Sequence, residues 1–183
     1  MNRVVLPALC AALFSLSAAV VRAEEAPGIG AVAPDVTLTD TDGNAVKIAD
    51  LRESTADGGE KKDGKVAVIT FWSYKCPTGA DYMEKFGKLA AWCKEKGVAF
   101  FAVDSYGETA EQAKKYREKN GLEYPIYMDE ATDVARALGA RKVTATYVLD
   151  AQGKLAYMGA FDNGAEAGAG DYEALAQQAV EQV

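Results

Sequence analysis

The sequence contains no histidine. That one absence excludes a Cys–His dyad, a Ser–His–Asp triad and any imidazole metal centre. Cysteine is almost as scarce, with only Cys10, Cys76 and Cys93 in 183 residues. Basic residues are outnumbered, 20 against 27 acidic ones, for a formal net charge of −7. An acidic balance of this kind argues against partnership with nucleic acid or an anionic membrane surface. No internal repeat is present, and no motif indicates a metal, nucleotide or haem site, so no cofactor is expected. Whatever chemistry the chain performs must come from groups other than imidazole.

The first residues read as a leader. Arg3 precedes an apolar run from Val4 to Val21, and Val21-Arg22-Ala23 ends it in a small-residue cleavage pattern. This is the layout of a secretory signal peptide over residues 1–23. Pro7, Ser15 and Ser17 interrupt a stretch barely long enough to span a bilayer, which disfavours an anchor. Leu9-Cys10 resembles a lipidation box, but Leu9 is too large for the position before a lipidated cysteine and the apolar run continues past it. The expected mature chain, residues 24–183, loses Arg3 and Arg22, so 18 basic against 27 acidic residues give −9. It is then not membrane-embedded, and it keeps only Cys76 and Cys93, too few for a disulfide framework.

Along this chain, Ala33 to Asp40 alternates as a half-buried strand, and Ala45 to Ile48 returns after an Asp42-Gly43 turn. Ser54 to Lys65 holds three glycines, several charges and hardly an apolar side chain, as a surface loop insertion does. Val66 to Trp72 is a buried strand. Pro77 to Lys96 carries Tyr82, Met83, Phe86, Leu89, Ala90 and Cys93 on one stripe, predicting a single helix ended by Gly97. Val98 to Val103 is a continuous apolar strand covered on both faces. Further on, the pattern predicts a solvated helix from Glu108 to Asn120, a short strand over Tyr124–Met128 and a brief helix capped by Thr132. A strand over Thr144–Leu149 follows, then its hairpin mate over Lys154–Phe161, a glycine-rich loop, and a last helix capped by Asp171. The order implies parallel crossovers with an antiparallel edge and helices on both faces of a mixed sheet.

The organising stretch is Val66 to Gly79. A buried strand runs into a helix that opens at Pro77, which places Cys76 at or beside the N-cap. Free backbone N–H groups and the helix dipole there favour a thiolate, the reactive form of cysteine, and Lys75 adds a cation beside it.

Strand, Phe71-Trp72-Ser73, then Cys76-Pro77 resembles the thioredoxin superfamily, in particular secreted TlpA/ResA-like thiol–disulfide proteins and AhpC/TSA peroxiredoxins. The Ala33-Pro34-Asp35-Val36-Thr37-Leu38 opening and the Tyr147-Val148-Leu149-Asp150-Ala151-Gln152-Gly153-Lys154 strand–turn extend the resemblance over nearly the whole mature chain. It implies a three-layer α/β/α fold with a mixed central sheet and an N-terminal β-hairpin extension. The site departs from both groups. TlpA-like proteins have Cys-x-x-Cys, and here the motif is Cys76-Pro77-Thr78-Gly79; their cis-proline position falls on Thr144. Ser73 and Cys76-Pro77-Thr78 are similar to the peroxiredoxin site, but that family's upstream proline falls on Ile69 and its arginine on Thr144, with Arg141 nearby.

Each residue has two readings. Cys76 is a redox thiol or a vestigial one. Cys93 is a resolving thiol or a buried small hydrophobe. It lies 17 positions along the same expected helix, about 25 Å away by helical rise, whereas a disulfide needs α-carbons within about 7 Å. The hydrophobe reading is therefore favoured. Ser73 either hydrogen-bonds the thiolate or ends the strand, and Lys75 is a tuned cation or a solvated one. Trp72, Tyr74 and Tyr82 wall a substrate groove or pack. Thr144, opposite Cys76 by the fold resemblance, contacts substrate or fills the space of a proline, and Pro77 and Thr78 join Trp72 and Tyr74 as candidate binding residues beside Cys76. The resemblance implies a periplasmic or secreted redoxin in which Cys76, with Ser73, Lys75 and Thr144, attacks a protein disulfide or a hydroperoxide. An external thiol reductant clears the product. The alternative is a non-catalytic module that binds a partner beside Cys76.

Overall fold

In a computed structural model, residues 26–52, 64–166 and 168–183 are described. The expected leader, residues 1–23, and residues 54–63 of the expected loop lie outside them. Where the loop's flanks are described, Lys65 N donates to Arg52 O at 2.6 Å, so the chain departs and returns at one point.

The apolar run before Cys76 forms β3 (Ala67–Phe71), every residue of it buried. Its alternating side chains serve two cores. Val68 and Trp72 join one, and Ala67, Ile69 and Phe71 join the other. β4 (Ala99–Asp104) divides likewise, with Phe100 and Ala102 on the first side and Phe101 and Val103 on the second. A strand buried on both faces needs cover on both, and the chain supplies it. α3 (Met83–Glu95), α4 (Ala110–Lys119) and α6 (Leu175–Val180) close the first side; α1 (Ile48–Leu51) and α5 (Asp133–Leu138) close the second. Phe86 and Leu138 are both fully buried. Burial of a large apolar side chain to that extent stabilises by about 1.5–3 kcal/mol.

With β1 (Thr37–Thr39), β2 (Ala45–Lys47), β5 (Ile126–Met128), β6 (Ala145–Leu149) and β7 (Leu155–Ala160), the strands form one mixed sheet in the order β2-β1-β5-β4-β3-β6-β7. β3, β4 and β5 are parallel; β6 and β7 run antiparallel on one side, and the β1–β2 hairpin does so on the other. This is the expected α/β arrangement with its N-terminal hairpin.

Several boundaries differ from expectation. The single helix over Pro77–Lys96 is two, α2 (Pro77–Asp81) and α3, interrupted at Tyr82. Tyr82 donates its hydroxyl to Asp162 Oδ1 at 2.6 Å, and Lys85 pairs with the same carboxylate, which ties the junction to the C-terminal loop. The helix expected from Glu108 starts two residues later. Thr109 and Gln112 form a capping box that leaves Glu108 outside and buried. Thr132 is the N-cap of α5, but its side chain makes no capping bond. The Asp129 carboxylate accepts Val134 N and Ala135 N instead. Asp171 does not cap the last helix, which begins at Leu175; its carbonyl accepts Asn163 Nδ2 within the loop.

Candidate active site

β3 delivers the site. Its pairing extends one residue, with Trp72 N donating to Val103 O at 2.8 Å, and the chain then turns toward α2. Cys76 is the N-cap of α2, in extended backbone, and its carbonyl accepts Ala80 N at 3.1 Å. The cysteine side chain makes no capping hydrogen bond and is partly exposed. Pro77 and Thr78 are exposed on the helix's first turn. Gly79, the fourth motif position, is buried against the backbone of Ser73.

Ser73 does not serve Cys76. Its side chain is wholly buried and donates to Glu108 Oε1 at 2.5 Å. The backbone N–H of Lys75 points to the Ser73 hydroxyl at 3.1 Å and to Glu108 Oε1 at 3.4 Å. The exposed Lys75 ammonium donates to Gly107 O at 3.3 Å. Trp72 is 1% exposed; its ring lies 5.9 Å from Tyr74 and 5.6 Å from Tyr116, and Tyr74 stacks on Tyr116 at 4.5 Å. Trp72 therefore packs in the core, as does most of Tyr74. Trp72 also borders a cleft of about 380 Å³ that includes Phe71, Tyr106, Arg141 and Val143.

Thr144 sits just outside β6. Thr70 is opposite Thr146 in the β3–β6 pairing, so Thr144 lies at the end of the sheet from which the Cys76 segment departs. Its N–H donates to Phe71 O at 2.7 Å, a bond that proline lacks the hydrogen to make. Its φ is +74°, a left-handed conformation that is unfavourable for a β-branched residue.

Two buried carboxyls complete the site, and the sequence reading missed both. Asp104 ends β4 and is 1% exposed; Glu108 is 3% exposed. Burial pushes the Asp104 carboxyl up to about 7. The neighbouring Glu108 charge and hydrogen bond add to this, against Tyr106 N–H and the Lys75 charge, which lower it. Two signals pointed to them: the Asp at the end of an otherwise apolar strand, and the Thr109-Ala110-Glu111-Gln112 box that sets Glu108 before its helix.

Cys93 lies in α3, fully buried, and burial alone pushes its thiol up to about 12. Both described cysteines are free, and Cys93 fills its expected place on the apolar stripe. Among the described residues no cluster of Cys, Asp and Glu is arranged to hold a metal ion, and no helix is long and apolar enough to cross a membrane.

A partly exposed cysteine at a strand-to-helix junction on this mixed sheet defines a thioredoxin-like redoxin. The chain belongs to the AhpC/TSA family, whose sequence profile matches residues 29–158. It is 29% identical over 156 residues to the thiol-disulfide oxidoreductase ResA of Geobacillus thermodenitrificans, covering 85% of this chain and 83% of that one. An uncharacterized conserved protein from Geobacillus kaustophilus superposes with a TM-score of 0.65 at 29% identity, over 78% of this chain and 74% of the other. The thioredoxin domain of a thiol-disulfide oxidoreductase from Bacteroides vulgatus shares the fold, with a TM-score of 0.62 at 19% identity over 86% and 98% of the two chains.

Proposed function

We propose that this protein is an extracytoplasmic thiol–disulfide oxidoreductase that works through the single thiol of Cys76. The observation that carries the reading is the contrast between its two described thiols. Cys76 is partly exposed where β3 hands over to α2, whereas Cys93 is sealed in the core. The ResA relatives support disulfide exchange as the reaction. Peroxide reduction is less well supported, because it needs donors poised around the sulfur, and the Ser73 hydroxyl expected to supply one is committed to Glu108.

In this reading the Cys76 thiolate attacks one sulfur of a partner disulfide. A new S–S bond forms to Cys76, the partner S–S bond breaks, and the departing sulfur leaves as a thiolate. Position 79 offers no second thiol, so an external thiolate attacks the Cys76 sulfur and the partner's other thiolate is freed. A second external thiolate then attacks the sulfur of the first, forming a disulfide between the two as the bond to Cys76 breaks and Cys76 leaves as a thiolate. The balance is two external thiols oxidised to one disulfide and one partner disulfide reduced. Residues 1–23 supply the export signal and residues 24–183 the functional domain, with Lys75, Thr144, Pro77 and Thr78 forming the surface that meets the partner.

The test is reduction of a protein disulfide such as insulin with a small thiol as reductant, comparing the wild type with Cys76→Ser. Turnover that vanishes in Cys76→Ser, with a trapped adduct between Cys76 and the partner, supports the reading. Absence of any Cys76-dependent turnover overturns it in favour of a module that only binds.

A further inference from the structure

The cleft of about 380 Å³ at the end of β3 differs in charge from the chain that forms it. Phe71 and Val143 give it an apolar lining, and Tyr106, which also borders it, remains 63% exposed. Its other wall is cationic. Arg136, Arg141 and Lys142 line it, all three exposed, and among the described residues no carboxylate does. The chain as a whole carries −7. Arg136 is already committed, donating to Ala131 O at 3.0 Å and pairing with Asp133. The side chains of Arg141 and Lys142 bond to no described residue. Across the cleft, the exposed Lys75 ammonium rests on Gly107 O, next to Tyr106.

This cleft adjoins the reacting cysteine through the chain itself. Trp72, on its border, lies four positions before Cys76, and Val143 precedes Thr144, whose N–H is bound to Phe71 O. A polypeptide whose disulfide reaches Cys76 runs on at about 3.3 Å per residue, so its next few residues come over the cleft. The chain's net negative charge does not repel an acidic visitor there. Charges farther off than about 8 Å are largely screened at physiological ionic strength, whereas Arg141 and Lys142 would be in contact. A guanidinium also presents a planar fork that matches a carboxylate. A small acidic thiol would use the cations but leave Tyr106 and Val143 uncovered.

We propose that the cleft receives the residues flanking the partner's disulfide, and that the partner is a polypeptide with carboxylates beside an apolar side chain at that flank. Arg141 and Lys142 take the carboxylates, and Tyr106 with Val143 takes the apolar side chain. The inference rests on Cys76 being the reacting group, and it deepens that reading by naming the chemistry of the substrate.

The experiment uses short peptides carrying one cysteine as a mixed disulfide with 2-thiopyridine, flanked by Glu, Gln or Lys and a single Phe. The Cys76 thiolate attacks the peptide sulfur, a Cys76–peptide disulfide forms, and pyridine-2-thione leaves and is read by its absorbance. Each rate is divided by that of the same peptide with N-acetylcysteine amide, which removes differences in intrinsic reactivity. Two exposed ion pairs predict a preference of about threefold to tenfold for the Glu peptide over the Gln peptide. It should fade in about 1 M salt, where the screening length is about 3 Å. It should vanish in Arg141→Gln/Lys142→Gln but persist in Lys94→Gln/Lys119→Gln, which removes the same charge from exposed sites on the opposite side of the sheet. Replacing Phe by Ser in the Glu peptide should slow the wild type and leave Tyr106→Ala unaffected. Equal rates for the three peptides, a preference for Lys, or a Glu preference that survives Arg141→Gln/Lys142→Gln overturns the proposal. So does discrimination confined to glutathione disulfide over hydroxyethyl disulfide, which would make the occupant a small acidic thiol. A dimer in gel filtration that Arg141→Gln/Lys142→Gln dissociates would make it a second copy, and overturns it too. If Cys76 reacts with no probe, the functional reading fails, and fluorescence anisotropy of the same peptides with serine for cysteine still decides this one. Tighter binding of the Glu peptide, lost in Arg141→Gln/Lys142→Gln, supports it, and equal binding of all three overturns it.

Discussion

The backbone carbonyl of Ser73 packs directly on the α-carbon of Gly79. A Cβ built on Gly79 would meet that oxygen far inside 3.0 Å, closer than real side chains come. The first turn of α2 therefore lies against the turn that leaves β3, at the position where a Cys-x-x-Cys motif has its second thiol.

Installing that thiol should fail on steric grounds. Alanine in place of a helical glycine ordinarily gains about 1 kcal/mol, but here the obstacle is backbone and cannot rotate away. Gly79→Ala and Gly79→Cys are expected to destabilise by about 1–3 kcal/mol, the usual cost of overpacking. Urea denaturation measures it. A Gly79→Cys protein as stable as the wild type, and able to close a disulfide between Cys76 and the introduced thiol, would contradict the packing.

Thr144 carries strain that glycine would relieve. Its φ is positive, and a residue with a Cβ there costs about 1–2 kcal/mol, against about 0.5–1 kcal/mol for glycine's extra freedom in the unfolded chain. Thr144→Gly is thus expected to be neutral or to stabilise by up to about 1.5 kcal/mol, the difference between those two costs. Thr144→Pro loses the bond to Phe71 O. It also fixes φ near −65°, so it is expected to destabilise by more than about 1 kcal/mol. Denaturation midpoints of the two variants should move apart, and a stabilising proline would refute the account.

The tie between α3 and the C-terminal loop predicts an acid-side loss of stability. Burial alone would raise the Asp162 carboxyl, but hydrogen bonds from Lys85, Tyr82 and Gly164 N–H outweigh it and hold it below the usual range. A group depressed in the folded state stabilises fully above its unfolded value, near 4. That contribution disappears as pH falls through the lower folded value. Asp162→Asn should cost about 1.5–3 kcal/mol at about pH 7, the range for hydrogen bonds to charged groups. It should also flatten the decline in stability below about pH 4. Denaturation series at neutral pH and at about pH 3 check both, and an unchanged decline would rule out Asp162 as its source.

The two described thiols should differ sharply in reactivity. Cys93, buried and pushed up to about 12, stays protonated and sheltered in the folded protein. Brief alkylation at about pH 8 is expected to label Cys76 and leave Cys93 unmodified until denaturant is added. Peptide mapping reads this, and equal labelling of both in the native protein would refute the burial.

The chain's local chemistry determined much on its own. A run of apolar β-formers before Pro77 makes β3 and places Cys76 at the following helix start, because strand burial and a proline at the first helical position are properties of neighbouring residues. The stripe that buries Phe86, Leu89 and Cys93 and the strand–helix order of the sheet follow in the same way. Tertiary structure alone decided the partners. Ser73 turns to Glu108 from 35 positions away, Tyr82 to Asp162 from 80 away, and Thr144 takes its left-handed turn to reach Phe71. No periodicity encodes such pairings, since they arise only when parallel strands bring distant loops to one end of the sheet, where a buried carboxyl must find a donor.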